Sequence, residues 1–253
     1  MPAIVRTTHA PLPSELVDRQ TRLYDGPEID GKLEHLIRNA STCALSWWDI
    51  HRLLRTARAV YFDTHVEVVS GHHTATYLRF ESIARYPQLL TLIARDMAAW
   101  LTCTFAEEPP AGIVTTSSDA RLLAERIGEL LAERMPLKII VTPFNAETGR
   151  IGTDVPAGAI MPGERYLSLN DVTTRGMCVS KLGKVATDHG GRLEGMMVFA
   201  RRDSGQFPLM EELTSTHPFY WSADLAMPQW EPADCPLCND HQPLLKWKDL
   251  PEL

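Results

Sequence analysis

The residues that could do chemistry are concentrated in a turn that follows an apolar stretch of the chain. Asn170 and Asp171 come directly after the pattern of a buried strand and open a predicted turn over residues 170–176, which leads into a segment with helical spacing. Their side-chain oxygens can accept hydrogen bonds from sugar hydroxyls, and the free N–H groups of a helix N-terminus attract a phosphate. The pattern predicts a cradle for a ribose phosphate. The alternative is an ordinary loop in which Asp and Thr only cap the helix.

The same turn carries a positive charge, because Arg175 stands beside a glycine at its centre. A guanidinium pairs well with phosphate oxygens, and the N–H groups of a tight turn add further donors. The residues predicted to bind the phosphate are Thr174, Arg175, Gly176, Met177 and Cys178.

The elements around this turn alternate between strand and helix. Strands are predicted at 111–115, 137–141, 166–169 and 193–199, and helices at 119–134 and 176–189. Asp119 is the predicted N-cap of the first of these helices. Such alternation is typical of a parallel sheet with helices on both faces, in which ligands bind beyond the carboxyl ends of the strands. The turn at 170–176 lies at such an end.

The first hundred residues have a less regular pattern. Residues 1–30 are rich in Pro, Thr, Asp and Gly and predict an irregular arm that packs over another part of the molecule. Residues 33–60 have helical spacing, short strands flank a turn at 70–74, and a further helix is predicted to begin at Pro87.

Composition limits the classes of partner. The 253 residues carry a formal net charge of −7 at pH 7, which argues against binding nucleic acid through clustered lysines and arginines. The sequence has neither an apolar run that would span a membrane nor a secretory signal, so we expect a soluble, cytoplasmic protein. Five cysteines are an odd and sparse set, so reduced thiols are expected rather than a disulfide framework.

Several motifs, in the same chain order, resemble the type I phosphoribosyltransferases and among them the orotate phosphoribosyltransferases. They correspond to the hood, the pyrophosphate loop, the phosphoribosyl pyrophosphate motif and the strand end whose arginine contacts the base. The matching segments are 70–73, 76–78, 115–120, 170–176 and 199–203. The resemblance covers residues 60 to 215. It implies an α/β fold, with a parallel sheet flanked by helices, an N-terminal hood and a C-terminal Cys-x-x-Cys tail.

The resemblance implies transfer of ribose 5-phosphate from phosphoribosyl pyrophosphate to a ring nitrogen of an orotate-like or other heterocyclic acceptor, with release of pyrophosphate. Mg²⁺ is implied as well, because it prefers oxygen ligands and bridges phosphates. The catalytic residues implied are Asp171 and Asn170. The pyrophosphate-binding residues implied are Ser117, Ser118 and Arg150. The base-binding residues implied are Arg202, His72, His73 and Tyr77.

The chain departs from the family pattern inside the cradle. Asn170 replaces the first of two acids, Val69 stands where orotate enzymes carry a lysine, and the loop at 144–152 contains Arg150 as its cation in place of lysines. These departures make orotate itself a poor candidate acceptor. They favour two alternatives, a catalytically degenerate regulator that binds nucleotide or phosphoribosyl pyrophosphate, and a different reaction on a ribose phosphate, such as nucleotide hydrolysis.

A second candidate site lies near the C-terminus, where Cys235-x-x-Cys238 precedes His241. This spacing is half of a structural zinc site, because thiolates and imidazole suit tetrahedral Zn²⁺. A redox pair and two simple buried thiols are the alternatives. His72 and His73 are expected to contact substrate or backbone rather than a metal. The candidates for the remaining zinc ligand are His217, Cys43, His65 and His51.

Three parts of the chain are expected. They are an N-terminal arm and helical segment over residues 1–60, a phosphoribosyltransferase-like domain with its hood over 61–215, and a Pro- and Trp-rich tail over 216–253. Related enzymes complete their sites across a dimer, so the resemblance also implies a homodimer. The expected partners are phosphoribosyl pyrophosphate and a small heterocycle, with neither nucleic acid nor a membrane.

Overall fold

The computed structural model describes residues 13–39, 44–203 and 206–253. The helices are α1 (Pro13–Asp25), α2 (Glu28–Leu36), α3 (Trp47–Thr56), α4 (Phe80–Ala84), α5 (Pro87–Thr104), α6 (Asp119–Leu131), α7 (Met177–Asp188), α8 (Pro208–Thr216) and α9 (Pro236–Asn239). The strands are β1 (Ile37–Asn39), β2 (Val60–Tyr61), β3 (Val66–Glu67), β4 (His73–Thr74), β5 (Tyr77–Leu78), β6 (Gly112–Thr116), β7 (Lys138–Thr142), β8 (Phe144–Asn145), β9 (Arg150–Ile151), β10 (Arg165–Thr173), β11 (Arg192–Arg202), β12 (Phe219–Leu225), β13 (Gln229–Trp230) and β14 (Leu245–Lys246).

A six-stranded sheet in the order β1-β12-β11-β10-β6-β7 forms the centre of the molecule. The strands from β12 to β7 run parallel, and β1 joins at one edge in the antiparallel direction. This confirms the predicted parallel sheet. The predicted tail contains one of its strands, β12, which the sequence pattern missed because polar residues interrupt it. Two of them, Ser222 and Asp224, are buried, and Asp224 pairs with Arg201 at 3.0 Å.

Helices cover both faces of this sheet. Leu167 and Leu169 of β10 pack in the same buried cluster as the apolar residues of α5 and α6. Tyr166, on the opposite face, packs with Leu182 and Val185 of α7. Successive residues of a strand face opposite sides, and both sets are apolar here, as a sheet buried on both faces requires.

The N-terminal arm that was predicted as irregular is helical in its described part. Leu16, Gln20 and Tyr24 of α1 are buried and lie four residues apart, so they share one face of the helix. The Pro and Thr residues that suggested an irregular chain lie mainly in residues 1–12, outside the described ranges. The prediction of an irregular chain over residues 13–30 was therefore wrong, because the four-residue spacing of the buried side chains, and not the composition, determines the structure of α1.

The helical pattern predicted over residues 33–60 is divided in the structure. Helix α2 ends at Leu36, the chain continues as β1, and α3 begins after Ser46. Ser46 and Asp49 form a capping box, in which the serine hydroxyl accepts from the Asp49 N–H and the Asp49 carboxylate accepts from the Ser46 N–H. This cap fixes the start of α3.

The hood, residues 60–79, consists of short strands on either side of the predicted turn. Gly71 adopts a φ of +81° in that turn, a conformation that favours glycine. The C-terminal segment, residues 226–253, extends the hood on both sides, because β13 pairs with β4 and β14 pairs with β3. The result is a four-stranded sheet in the order β13-β4-β3-β14.

None of the helices within the described ranges is long and apolar enough to cross a membrane. Four cysteines, Cys103, Cys178, Cys235 and Cys238, have free thiols, in agreement with the expected reduced state. Cys43, a candidate zinc ligand, lies outside the described residues.

Candidate active site

The predicted site residues lie where neighbouring parallel strands end. β6, β10 and β11 are adjacent in the sheet and end at Thr116, Thr173 and Arg202. β10 runs on to Thr173 rather than stopping at residue 169, so Asn170 and Asp171 lie within the strand. The turn is therefore shorter than predicted, and it is confined to residues 174–176.

Asn170 and Asp171 differ in burial and in direction. The Asn170 side chain is buried, and its Nδ2 donates to the Val172 carbonyl at 3.0 Å, so it bonds back to its own strand. Asp171 faces the opposite side and is half-buried, and its Oδ1 accepts from the Val172 N–H at 2.7 Å. Burial raises the pKa of Asp171 to about 6, although this hydrogen bond opposes the shift. Asp171 thus supplies the carboxylate at this strand end.

The turn at 174–176 starts helix α7 with an open N-terminus. Gly176 is the N-cap and has a φ of +79°, and its N–H donates to Thr173 Oγ1 at 3.2 Å. The first residues of a helix have N–H groups without a partner inside the helix, which here places Met177 and Cys178 among the donors. Burial raises the pKa of the Cys178 thiol, so its backbone N–H is the group suited to an anion. This geometry fits the predicted phosphate cradle.

The predicted pyrophosphate loop follows β6. Ser118 is the N-cap of α6, and its hydroxyl accepts from the N–H two residues later at 3.4 Å. Ser118 therefore caps this helix instead of Asp119, which lies one residue inside it and whose pKa burial raises. Ser117 Oγ accepts from the Phe144 N–H at 2.9 Å, which ties the loop to the β8–β9 hairpin. That hairpin carries the exposed Arg150.

Arg202, at the end of β11, lies among polar side chains of the hood, β10 and the C-terminal segment. Its charge interacts with Tyr77 of the hood, Asp171 of β10 and the adjacent Asp203. Burial raises the pKa of Tyr77 to about 12, so its hydroxyl stays protonated at neutral pH. With its amide oxygen turned toward Arg202, Gln229 accepts from both terminal guanidinium nitrogens, at 3.0 and 3.3 Å. The structure thus brings Arg202, Tyr77 and Asp171 together and adds Gln229 to them.

His72 and Arg175 meet an acid from the C-terminal segment. His72 Nε2 lies 2.6 Å from Glu231 Oε1, and the Arg175 guanidinium contacts the same ring nitrogen. Arg175 also lies 3.8 Å from Glu231 and stacks over the Phe207 ring, 5.1 Å from its centroid. Its side chain is therefore engaged by the hood, the residue before α8 and the C-terminal segment, whereas the prediction assigned it to the phosphate.

Four nitrogen and sulfur ligands meet between the hood and the C-terminal segment. His65, His73, Cys235 and Cys238 each offer one ligand atom, and these atoms lie within 4.8 Å of one another. This corrects two predictions. His73, assigned to the base, is the first residue of β4 and belongs to this cluster, because its Nδ1 lies 3.2 Å from the Cys238 sulfur, whereas the preceding His72 contacts Glu231. His241, assigned to the metal, is exposed and turns the chain with a φ of +55°.

No protein-family model matches the chain. The curated orotate phosphoribosyltransferase of Heliobacterium modesticaldum is 24% identical over 194 residues, which are 77% of this chain and 93% of that relative. The solved orotate phosphoribosyltransferase of Aeropyrum pernix gives a TM-score of 0.50 at 16% identity, over 68% of this chain and 92% of that one. The chain has a type I phosphoribosyltransferase fold. The resemblance predicted from the motifs is confirmed.

The fold does not by itself assign the acceptor. An adenine phosphoribosyltransferase from Leishmania tarentolae also gives a TM-score of 0.50, at 13% identity and over 69% of this chain and 87% of that one. Proteins named for different bases therefore share this phosphoribosyltransferase fold, and the side chains around the site must decide the base.

Sequence reasoning missed Gln229 and Glu231. Both lie in the C-terminal segment, far along the chain from the hood, and neither belongs to a recognisable motif. Their signal was indirect. A half zinc site in this segment must find its other ligands elsewhere, and ligands in the hood would bring β13 and its neighbours to the candidate site.

Proposed function

We propose that this protein is a phosphoribosyltransferase that moves ribose 5-phosphate from phosphoribosyl pyrophosphate to a ring nitrogen of a heterocyclic acceptor and releases pyrophosphate. The observation that carries the proposal is the placement of Asp171, the 174–178 turn and the 117–118 loop at one edge of the sheet. The relatives named orotate phosphoribosyltransferase support an enzyme with this reaction type.

The sugar and its phosphate would occupy the end of β10. We assign the ribose hydroxyls to Asp171 and the 5-phosphate to the N–H groups of residues 174–178 at the start of α7. Asn170 is a weaker candidate for the ribose, since its amide already donates to Val172. The pyrophosphate would lie at the 117–118 loop. Arg150 would supply a cation from the β8–β9 hairpin, which contacts this loop through the Phe144 N–H.

Departure of pyrophosphate leaves positive charge on the anomeric carbon and the ring oxygen of the ribose. An ionised carboxylate at Asp171 would stabilise that charge. A pKa of about 6 leaves this group mostly ionised at neutral pH. The donors fit Mg²⁺, since one carboxylate and nearby hydroxyls are hard oxygen ligands and the substrate phosphates would supply the rest. When bound there, Mg²⁺ would offset charge on the leaving group. Zinc would have a structural role only.

The acceptor would lie on the side formed by His72, Arg175, Arg202, Gln229 and Glu231, which we call the acceptor side. Arg202 Nε and Arg175 Nε are buried N–H donors for which the described residues provide no hydrogen-bond acceptor. A carbonyl-bearing heterocycle would satisfy such donors. Glu231 already pairs with His72 and Arg175, so these charges support a neutral ring over an acidic one.

A pyrophosphate-release assay tests the reaction. The protein is incubated with phosphoribosyl pyrophosphate, Mg²⁺ and a panel of neutral and acidic nucleobases, and we expect release with at least one neutral, carbonyl-bearing base. Release with no base in the panel, in a protein that still binds phosphoribosyl pyrophosphate, would contradict the proposal.

A regulator that binds the same ligands without turnover is the second candidate. The hydrogen bond that turns Asn170 back onto its own strand favours it, because only Asp171 remains as a carboxylate on this part of β10. A thermal-shift screen with phosphoribosyl pyrophosphate, pyrophosphate and nucleoside monophosphates separates the two when it is read beside the assay. Stabilisation without release indicates the regulator. The homodimer and the cytoplasmic location remain predictions from the sequence.

A further inference from the structure

The cluster between the hood and the C-terminal segment has the dimensions of a tetrahedral metal site. His65 Nε2 lies 3.1 Å from His73 Nδ1, 3.5 Å from the Cys235 sulfur and 3.6 Å from the Cys238 sulfur, and the Cys238 sulfur lies 3.2 Å from His73 Nδ1. Zinc bonds to nitrogen and sulfur imply edges of roughly 3.3–3.8 Å between ligand atoms of a tetrahedron. These four distances are close to that range, and all the ligand atoms lie within 4.8 Å of one another.

The surroundings of the cluster also suit a metal. Cys235, His65 and His73 are buried, at 0%, 3% and 5% exposure. His65 Nδ1 lies 2.9 Å from the Gln242 carbonyl, so a proton on Nδ1 is held there and Nε2 is left to bind the metal. Histidines that bind metals are commonly oriented by a carbonyl in this way. Two thiolates and two imidazoles select Zn²⁺ over Mg²⁺.

The ligands join the hood to the C-terminal segment. His65 and His73 flank the hood turn, whereas Cys235 and Cys238 lie on either side of Pro236 at the start of α9. The strands that pair across this boundary, β4 with β13 and β3 with β14, each have two residues. Such short strands contribute little stability by themselves. The segments also meet in an apolar cluster that contains Val66 and Leu250, and Arg79 donates to the Leu250 carbonyl. A metal would add a link at the end of the hood that carries His65 and His73.

The four-residue cluster is connected to the acceptor side through the pairing of β4 with β13. His73 is the register partner of Trp230 in the β4–β13 pair. Gln229, on one side of Trp230, accepts from Arg202, and Glu231, on the other side, contacts His72 and Arg175. A bond at His73 therefore fixes the strand that carries both residues.

We propose that His65, His73, Cys235 and Cys238 bind one Zn²⁺, and that this metal holds the C-terminal segment against the hood so that Gln229 and Glu231 are positioned at the acceptor side. The metal site is independent of the reaction. The positioning of the acceptor rests on the function proposed above. Gln229 and Glu231 are specificity-determining residues in this proposal, and the four ligands are positioning residues.

Metal content of the purified full-length protein tests the site. We expect about one zinc per chain in the wild type and a loss of most of it in Cys238→Ser, because two imidazoles and one thiolate bind more weakly than the complete set. Cys103→Ser, which alters an exposed thiol of α5, and His241→Asn are the matched controls and should keep the metal. Replacement by Co²⁺ should give the strong visible absorption of a four-coordinate site with thiolate ligands.

Two results would overturn the site. One is a wild-type protein that takes up no zinc after dialysis against it and whose Cys235 is alkylated as fast as Cys103. The other is a Cys235–Cys238 disulfide in the protein purified under reducing conditions. If Cys238→Ser does not fold, removal of zinc from the wild type with a chelator, followed by its return, gives the same comparison.

Hydrogen exchange and ligand binding test the positioning. Removal of zinc should increase exchange in residues 62–79 and 226–253 at least tenfold and leave β10 and β11 unchanged. It should also weaken nucleoside monophosphate binding at least tenfold and change pyrophosphate binding less than threefold, and Glu231→Gln should alter the preference among bases with its zinc retained. Unchanged exchange in both segments would contradict the positioning. Absence of any nucleotide binding by the zinc-loaded protein would instead contradict the proposed function and leave the metal site standing.

Discussion

The two sides of the candidate site are built in different ways. The sugar-phosphate side consists of strand ends from the central sheet, where β6 is buried along its whole length and β10 along most of it. On the acceptor side, Arg202 ends β11 of the same sheet and Arg175 lies in the turn before α7, whereas His72, Gln229 and Glu231 come from two-residue strands and loops of the hood and the C-terminal segment. The first side is therefore fixed by the core of the fold, whereas the second depends in part on local contacts of the hood and the C-terminal segment. Substitutions that change the acceptor would therefore lower the stability of the fold only slightly.

The two sides also differ in how their charged side chains are paired. On the sugar-phosphate side, Asp171 lies in surroundings that disfavour its ionised form, as its raised pKa shows. On the acceptor side, Glu231 pairs with His72 and Arg175. The sugar-phosphate side thus keeps a carboxylate whose ionisation lowers the stability of the protein, which suits a group that acts on a ligand. On the acceptor side, side chains of the protein compensate the charge of Glu231.

Replacing Asp171 by asparagine should give the largest effect. The amide oxygen of the new side chain would still accept from the Val172 N–H, but the negative charge that faces the ribose would be lost. We expect kcat to fall by about 100-fold or more, as for other losses of a preorganised electrostatic group. Asp154→Asn, at an exposed position, is the control. Activity within about threefold of the wild type would remove Asp171 from the chemistry.

The same substitution should stabilise the protein at neutral pH. The pKa of Asp171 is raised from 3.8 to about 6, so the folded state binds more protons than the unfolded state between these values. Stability therefore falls as the pH rises through this range, by at most about 3 kcal/mol. Urea unfolding should show Asp171→Asn to be more stable than the wild type above about pH 7, with the difference shrinking toward pH 4. A difference that is constant with pH would contradict the assigned cause.

Restoring the missing first acid of the family pattern should destabilise this chain. Asn170→Asp replaces an amide N–H that donates to the Val172 carbonyl by an oxygen that faces it, in a buried position. We expect a loss of about 2 kcal/mol in the free energy of unfolding. Asn145→Asp is a matched control, because the Asn145 oxygen accepts from the Thr148 N–H and an aspartate would keep that bond. Equal effects of the two substitutions in urea unfolding would argue against this hydrogen bond.

The sequence predicted the elements of the sugar-phosphate side well and the contacts of the acceptor side poorly, and distance along the chain explains the difference. The strand at 166–169, the helix after Gly176 and the loop before α6 are each contiguous segments, so local spacing reveals them. Glu231 and the four residues of the His-Cys cluster come together through contacts between segments more than 150 residues apart. No local pattern records such contacts. The histidine nearest to the cysteines in sequence, His241, was therefore chosen where His65 and His73 complete the cluster.

A smaller effect should show how firmly the sugar-phosphate side is packed. Gly176 and Gly163 have nearly the same positive φ, +79° and +78°, but a methyl group at Gly176 would lie 2.7 Å from Leu213 Cδ1, whereas Gly163 has open space around it. Gly163→Ala should cost about 1 kcal/mol of backbone strain. Gly176→Ala should cost roughly 1 kcal/mol more, because Leu213 of α8 must move. Equal losses in urea unfolding would show that Leu213 yields freely and that the turn at 174–176 is held no more tightly than the open turn at Gly163.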